Sequence, residues 1–274
     1  MYFRNEDGEY IYTAPVTRSG TDNETTYCPG CGHGISHRLI AEVIKELGIR
    51  EKVVGVSSIG CSAFIPRYVD VDFVVPCHGR APSVATGIKR VLKDRIVFTY
   101  QGDGDALAIG MAEVMHAALR AENMLMIIEN NANYGMTGGQ VAPTTLLGQV
   151  TTTTLHGRTV EEFGYPIHLM ETLAPFEGVS YAARAAMNSP KNIIRCKNIL
   201  KKAFMHQTQH KGLALIELLG ACPEGWRQTP TEAVQWMDDK LVPANPLGEY
   251  KTPEGGYRPP IPDKAPTPPI PVKA

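Results

Sequence analysis

Two stretches decide the fold: Gly102-Asp103-Gly104-Asp105 and, one helix and one strand later, Glu129-Asn130-Asn131-Ala132-Asn133-Tyr134-Gly135. Arg95 to Tyr100 reads as a strand leading into the first. Ala106 to Ala121 has helical periodicity, and Met124 to Ile128 is an apolar run of strand length. The order strand, Gly-Asp-Gly turn, helix, strand, Asn-rich turn is one βαβ unit. In a parallel sheet both turns leave the same carboxyl edge, so Asp103 and Asn131 are expected side by side. A carboxylate, an amide oxygen and a nearby backbone carbonyl are the hard donors that Mg²⁺ prefers, its remaining positions going to phosphate oxygens and water. The glycines let backbone N–H groups reach a diphosphate at the start of the following helix. The competing reading is an ordinary βα turn followed by a polar loop.

Outward from this unit the alternation continues. Val53 to Val56, Asp72 to Val75 and Leu213 to Leu219 read as strands, and Ile35 to Leu47 and Ser83 to Leu92 as helices. Val179 to Met187 and Lys191 to Gln207 also have a helical pattern. The expected fold is α/β, an open, doubly wound, mostly parallel sheet with extended terminal arms. Its expected division is an N-terminal arm (1–26), a binding domain (27–241) and a Pro-rich tail (242–274). Ten of the 21 prolines lie between Val242 and Ala274. That segment is expected to stay out of helices and central strands, either free or laid along a partner. The connection from Gln140 to Thr159 is long and irregular, as functional or interfacial loops are.

Six cysteines occur. The first residues are polar and acidic with no apolar leader, so the protein is expected to be cytoplasmic, where cysteines bind metals or react more often than they form disulfides. Cys28-Pro29-Gly30-Cys31 is a knuckle-type turn, whereas Cys61 and Cys222 stand alone, each after an expected strand. Four thiolates from three strand-end loops suit a 4Fe–4S cubane. Zinc and scattered thiols remain open on spacing alone. Cys196 falls in a helical stretch and reads as a small core residue. Cys77 stands next to His78 and either lines the site or is incidental.

The Gly-Asp-Gly and Asn-Asn pair resembles the thiamine diphosphate signature. Together with Tyr27-Cys28-Pro29-Gly30-Cys31-Gly32-His33-Gly34, His78-Gly79-Arg80-Ala81-Pro82 and Asn133-Tyr134-Gly135-Met136-Thr137-Gly138-Gly139-Gln140, it resembles the β subunit of 2-oxoacid:ferredoxin oxidoreductases over roughly residues 24–228. The resemblance implies thiamine diphosphate with Mg²⁺ held by Asp103, the Asn131 side chain and the Asn133 carbonyl. It implies a 4Fe–4S cluster on Cys28, Cys31, Cys61 and Cys222. It places Gly102, Gly104, Asp105, Tyr134, Gly135, Met136 and Thr137 around the diphosphate, with Gly32, His33, Ile59, Gly60, Ser62 and Gly79 as further cofactor contacts. His78 and Arg80 are candidates for catalytic contact with substrate or cofactor. No general base is assigned, because the glutamate that serves the pyrimidine ring is implied to sit on an α subunit, with much of the coenzyme A site. Further γ and δ subunits and ferredoxin complete the expected partners.

The substrate implied is a 2-oxoacid of the branched-chain type, such as 2-oxoisovalerate. The 2-oxoglutarate enzymes are the alternative, with Arg80, Arg158 or a residue on another subunit as the cation for a second carboxylate. A cluster-free thiamine decarboxylase and a zinc-knuckle scaffold are the remaining readings. A net charge of −1 with no basic field excludes a nucleic-acid footprint, and no apolar run reaches spanning length.

Overall fold

Leu125-Met126-Ile127-Ile128 is apolar at every position because its strand is buried on both faces. Successive side chains point to opposite sides of a strand, and here Leu125 and Ile127 join one core while Met126 and Ile128 join another. A computed structural model describes residues 2–4, 10–13, 25–209 and 212–260 and shows the sheet behind this pattern. Its strands are β1 (Tyr2–Arg4), β2 (Tyr10–Thr13), β3 (Val53–Ser57), β4 (Asp72–Val74), β5 (Ile96–Gly102), β6 (Leu125–Asn130), β7 (Val179–Ala186), β8 (Leu213–Leu219), β9 (Gly248–Thr252) and β10 (Gly256–Tyr257). β1 and β2 pair separately, and the others form one sheet in the order β10-β9-β7-β8-β6-β5-β3-β4. The six strands from β7 to β4 in that order are parallel, while β9 and β10 are antiparallel.

Helices cover both faces. Helix α1 (Gly32–Glu46) and the helix Pro190–Thr208 pack on one, through residues such as Ile40 and Phe204. Helices α2 (Ala81–Val91) and α3 (Met111–Leu119) pack on the other, through Ala85 and Val114. This is the doubly wound, mostly parallel sheet expected from sequence. The chain leaves β3 toward β4 on one side and returns to β5 on the other, so the carboxyl ends of β3 and β5 flank a crevice at the point where the winding reverses. Among the described residues, no helix is long and apolar enough to cross a membrane.

Three expectations are corrected. Residues 179–187, read as helical, contain strand β7, buried at all positions but Ser180. Alanine favours a helix only as a weak local preference, and pairing with both β8 and β9 overrides it. The same strand carries Arg184, whose side chain is fully buried. Its Nε donates to Glu217 Oε2 at 2.6 Å and its Nη atoms donate to Glu171 at 2.9 and 2.7 Å, which compensates the burial of the charge.

The second correction concerns the tail. Leu247 to Thr252 is a proline-free run between Pro246 and Pro253, so its N–H groups are free to donate, and β9 adds to the sheet beside β7. Residues 261–274 lie outside the described residues, as does most of the N-terminal arm. The third is the helix expected from Ala106 to Ala121. It begins as a π-helical turn, Asp105–Ile109, closed by Gly110 N to Asp105 O at 2.8 Å, before α3 starts. Gly79 presses on this break: a Cβ there would lie 2.7 Å from Gly110 N.

Candidate functional site

β5 ends at Gly102 and hands the chain to Asp103, whose residue is 2% exposed. Burial raises the Asp103 carboxyl to about 7, against the pull of the Thr144 hydroxyl and the Gly104 N–H. Thr144 Oγ1 donates to Asp103 Oδ2 and sets its orientation. A carboxylate short of compensating charge at the mouth of a crevice suits a divalent cation. We expect Thr144→Val to weaken Mg²⁺–thiamine diphosphate binding about tenfold, as loss of a partner to a metal-binding carboxylate does. Calorimetric titration checks this, and unchanged affinity would deny Thr144 that role.

The facing turn leaves β6. Ala132 takes a left-handed conformation, with φ 56°. It is held there by its N–H to Asn130 Oδ1 at 3.0 Å and by its carbonyl, which accepts from Thr145 Oγ1 at 2.7 Å and Gln149 Nε2 at 3.2 Å. Strain retained in this way aims the flanking residues. Asn130 Nδ2 donates to Glu217 Oε1 at 2.7 Å, tying the turn to the buried Arg184 network. Asn131 and Asn133 are buried, and Asn133 Oδ1 has no hydrogen-bond partner among the described residues. Asn131 Oδ1 accepts, among those residues, only the Asn133 N–H, at 3.4 Å; amide oxygens so placed beside a carboxylate fit Mg²⁺, and the glycines fit a diphosphate. Gly104 in particular must be glycine, since a Cβ there would enter the Tyr134 ring.

These groups line one cavity of about 130 Å³. It brings together His33, Ile59, Gly60, Ser62, His78, Gly102, Asp103, Gly104, Asp105, Asn131, Asn133, Tyr134, Gly135, Met136 and Thr137, with Cys61. Gly32, Gly79 and Arg80 do not line it. Arg80 instead pairs with Glu113. Asp105 is wholly engaged by protein donors: Oδ1 accepts from Ser58 Oγ (2.7 Å), Gly79 N (2.7 Å) and His78 Nδ1, and Oδ2 from Gln101 Nε2 (2.5 Å). Asp105 therefore orients the His78 ring through Nδ1. Gln140 exchanges hydrogen bonds with Thr137 and props the loop. Arg158 is fully used, all three nitrogens donating to six carbonyls between Ala142 and Tyr165, so it folds the long loop.

A second cavity, about 150 Å³, is lined by all four of Cys28, Cys31, Cys61 and Cys222. Cys31 caps α1, Cys61 opens the 3-10 turn Cys61–Arg67, and Cys222 caps the helix Pro223–Trp226. Burial raises the thiols of Cys31, Cys61 and Cys222, Cys61 to about 12 and Cys222 to about 11, while the N–H groups of His33 and Gly225 counteract at Cys31 and Cys222. Among the described residues, no group of three or more His, Cys, Asp or Glu is arranged around a single ion. Four cysteines lining one cavity, with N–H donors toward two of the sulfurs, are a donor set that fits an iron–sulfur cluster. The two cavities share a wall of His33, Cys61, Asn131, Gly135 and Met136. Cys196 is fully buried on its helix and Cys77 is exposed.

Sequence reading missed Thr144, Ser58 and Gln101, which orient the two aspartates. It also missed buried Glu129, which accepts from Ser36 Oγ at 2.6 Å and from Tyr100 OH and lies 3.2 Å from His33 Nδ1. Only the length of the Gln140–Thr159 loop hinted at Thr144.

The sequence profile of the family described as thiamine pyrophosphate enzyme, C-terminal TPP binding domain, matches residues 58–218. The ketoisovalerate oxidoreductase subunit VorA of Methanothermobacter thermautotrophicus is 42% identical over 227 residues, which are 83% of this chain and 48% of that one. This chain thus spans about half the length of that relative. The 2-oxoglutarate synthase subunit KorB of Archaeoglobus fulgidus is 36% identical over 217 residues, 79% of this chain and 77% of that one. The structure of 2-oxoglutarate:ferredoxin oxidoreductase from Magnetococcus marinus, with 2-oxoglutarate, coenzyme A and succinyl-CoA bound, superposes with a TM-score of 0.72 at 29% identity, covering 85% of this chain and 82% of that one.

Proposed function

Because this chain belongs to the thiamine diphosphate-binding subunits of the 2-oxoacid:ferredoxin oxidoreductases, we propose that it forms the diphosphate and cluster half of an enzyme for branched-chain 2-oxoacids. The reaction is oxidative decarboxylation of a substrate such as 2-oxoisovalerate to acyl-CoA and CO₂, with electrons leaving to ferredoxin. The single observation that carries this reading is the shared wall: a cavity with the Asp103 donors adjoins a cavity ringed by four thiols. Thiamine diphosphate bound there supplies an electron sink for decarboxylation, and a cluster supplies one-electron steps.

The chain's own residues divide the work. Asp103, Asn131 and Asn133 hold Mg²⁺, while the Gly102–Asp105 and Tyr134–Thr137 segments receive the diphosphate. Asp105 fixes the His78 ring at the cavity wall. Cys28, Cys31, Cys61 and Cys222 hold the 4Fe–4S cluster. A partner α subunit supplies the pyrimidine-binding half and much of the coenzyme A site, with γ and δ subunits beyond. Ile59 and Met136 at the cavity are 42% and 46% exposed, apolar surface that such a partner would cover.

The substrate class rests on the relatedness to VorA and on how the two candidate arginines of this chain are engaged. Arg80 is paired with Glu113 and Arg158 with carbonyls, and the cavity carries apolar Ile59 and Met136. A buried second carboxylate would need a paired cation. The KorB relationship supports 2-oxoglutarate as the second reading. Turnover by the assembled complex with a viologen acceptor separates them. We expect kcat/KM for 2-oxoisovalerate to exceed that for pyruvate and 2-oxoglutarate by at least about tenfold. Preference for 2-oxoglutarate would overturn the branched-chain assignment. A complex lacking the broad visible absorption of an iron–sulfur cluster would return the reading to a cluster-free decarboxylase.

A further inference from the structure

The Asn131–Gly135 turn and the Cys222–Trp226 segment interlock. Trp226 Nε1 donates to the carbonyl of Asn131 at 2.9 Å, and Trp226 N donates to Cys222 O at 2.9 Å. One residue therefore joins the last thiol's own backbone to the turn that carries Asn131 and Asn133. Contact is close on both sides of it. A Cβ on Gly135 would lie 2.9 Å from Cys222 Sγ, and one on Gly225 would lie 2.7 Å from the same sulfur and overlap the Asn133 amide. The Trp226 indole has little freedom of its own, being packed on Trp236 with ring centroids 4.4 Å apart. The far end of the turn is fixed too, since Asn130 is held by Glu217.

We propose that Trp226 is a positioning residue that couples the two cofactor sites: loading the cluster raises the affinity for Mg²⁺–thiamine diphosphate. This coupling rests on the function proposed above. A cluster that pins Cys222 fixes the first turn of the helix Pro223–Trp226, hence the indole, hence the Asn131 carbonyl and the donors on either side. Without that anchor the turn keeps its Glu217, Thr145 and Gln149 contacts, and its Asn131 carbonyl is held less firmly because the Trp226 segment is no longer pinned at Cys222. Such coupling is reciprocal: thiamine diphosphate binding stabilises the cluster by the same factor.

The test uses the assembled complex and titrates Mg²⁺–thiamine diphosphate by calorimetry, before and after the cluster is stripped anaerobically with an oxidant and chelator. The parent is expected to bind about tenfold more weakly once stripped, within the usual range for coupled sites. Trp226→Phe keeps the stacked ring and removes the N–H. In the cluster-loaded variant the affinity is expected to fall about five- to tenfold, the worth of one hydrogen bond, with iron content and visible spectrum unchanged. Stripping the variant should then change its affinity by less than about twofold. Equal affinity of loaded and stripped parent overturns the proposal, as does a variant that keeps the parent's full response. A parent that binds no thiamine diphosphate in either state would sink the assignment of the site itself, and the coupling with it.

Discussion

Asp103→Ala should leave the assembled complex without retained thiamine diphosphate while its iron content stays near that of the parent. Asp103 accepts from the Thr144 hydroxyl and the Gly104 N–H, whereas Asp105 is engaged by four donors, the His78 ring among them. Burial raises its carboxyl to about 7, so the protein alone compensates the charge poorly, and Mg²⁺ is a group that would compensate it. Removing a direct donor should exceed the loss from removing its Thr144 support, so affinity should fall by more than about a hundredfold. Iron content stays near the parent's because the thiols stand on other segments, at the start of α1, after β3 and after β8, and a coupling of about tenfold is too small to empty a tightly held cluster. Thiamine diphosphate and iron are measured on the same gel-filtered sample. Retention of the coenzyme at the parent level would remove Asp103 from the metal. Equal loss of iron would show that the two sites do not separate as described.

Cys222→Ser should lower cluster occupancy to a small fraction of the parent's, although Cys222 lies far along the chain from the other three thiols. The hydroxyl that replaces the thiol is a poor ligand for iron in this setting, since iron–sulfur clusters are held by thiolates. Cys222 lines the same cavity as Cys28, Cys31 and Cys61, and its sulfur receives the Gly225 N–H. Cys196→Ser is the control: that thiol is buried in the core contacts of the helix Pro190–Thr208 and is expected to leave iron unchanged. Iron per chain and visible absorption are the readouts. Full occupancy in Cys222→Ser would take it out of the ligand set. Depletion of iron in Cys196→Ser would mean that the thiol cavity is not the cluster site.

Much of the site was legible because it depends on local rules. Leu125 to Ile128 announces a strand buried on both faces, and Gly102-Asp103-Gly104 and Asn131 to Gly135 must share an edge once the sheet is parallel. Segments whose state depends on distant partners were not legible. β7 has helical propensity, and its extended form comes from pairing on both sides with β8 and β9, the latter from a region dense in proline. Arg184 looks like a surface residue of a helix until Glu171 and Glu217 surround it. Arg80 and Arg158 read alike as free cations in loops, yet one pairs with Glu113 and the other gathers six carbonyls.

The sequence alone thus determined the order of strands and helices around the diphosphate edge and the kinds of atom offered there, since periodicity, turn chemistry and ligand type are properties of neighbouring residues. Tertiary structure decided which of those atoms remain available. Thr144, Ser58 and Gln101 reach the aspartates from other segments and commit Asp105 while leaving part of Asp103 open. It also decided that four thiols from three loops and the Asp103 donors have one wall in common, because adjacency between strand ends is set by the order of strands in the sheet and not by their distance along the chain.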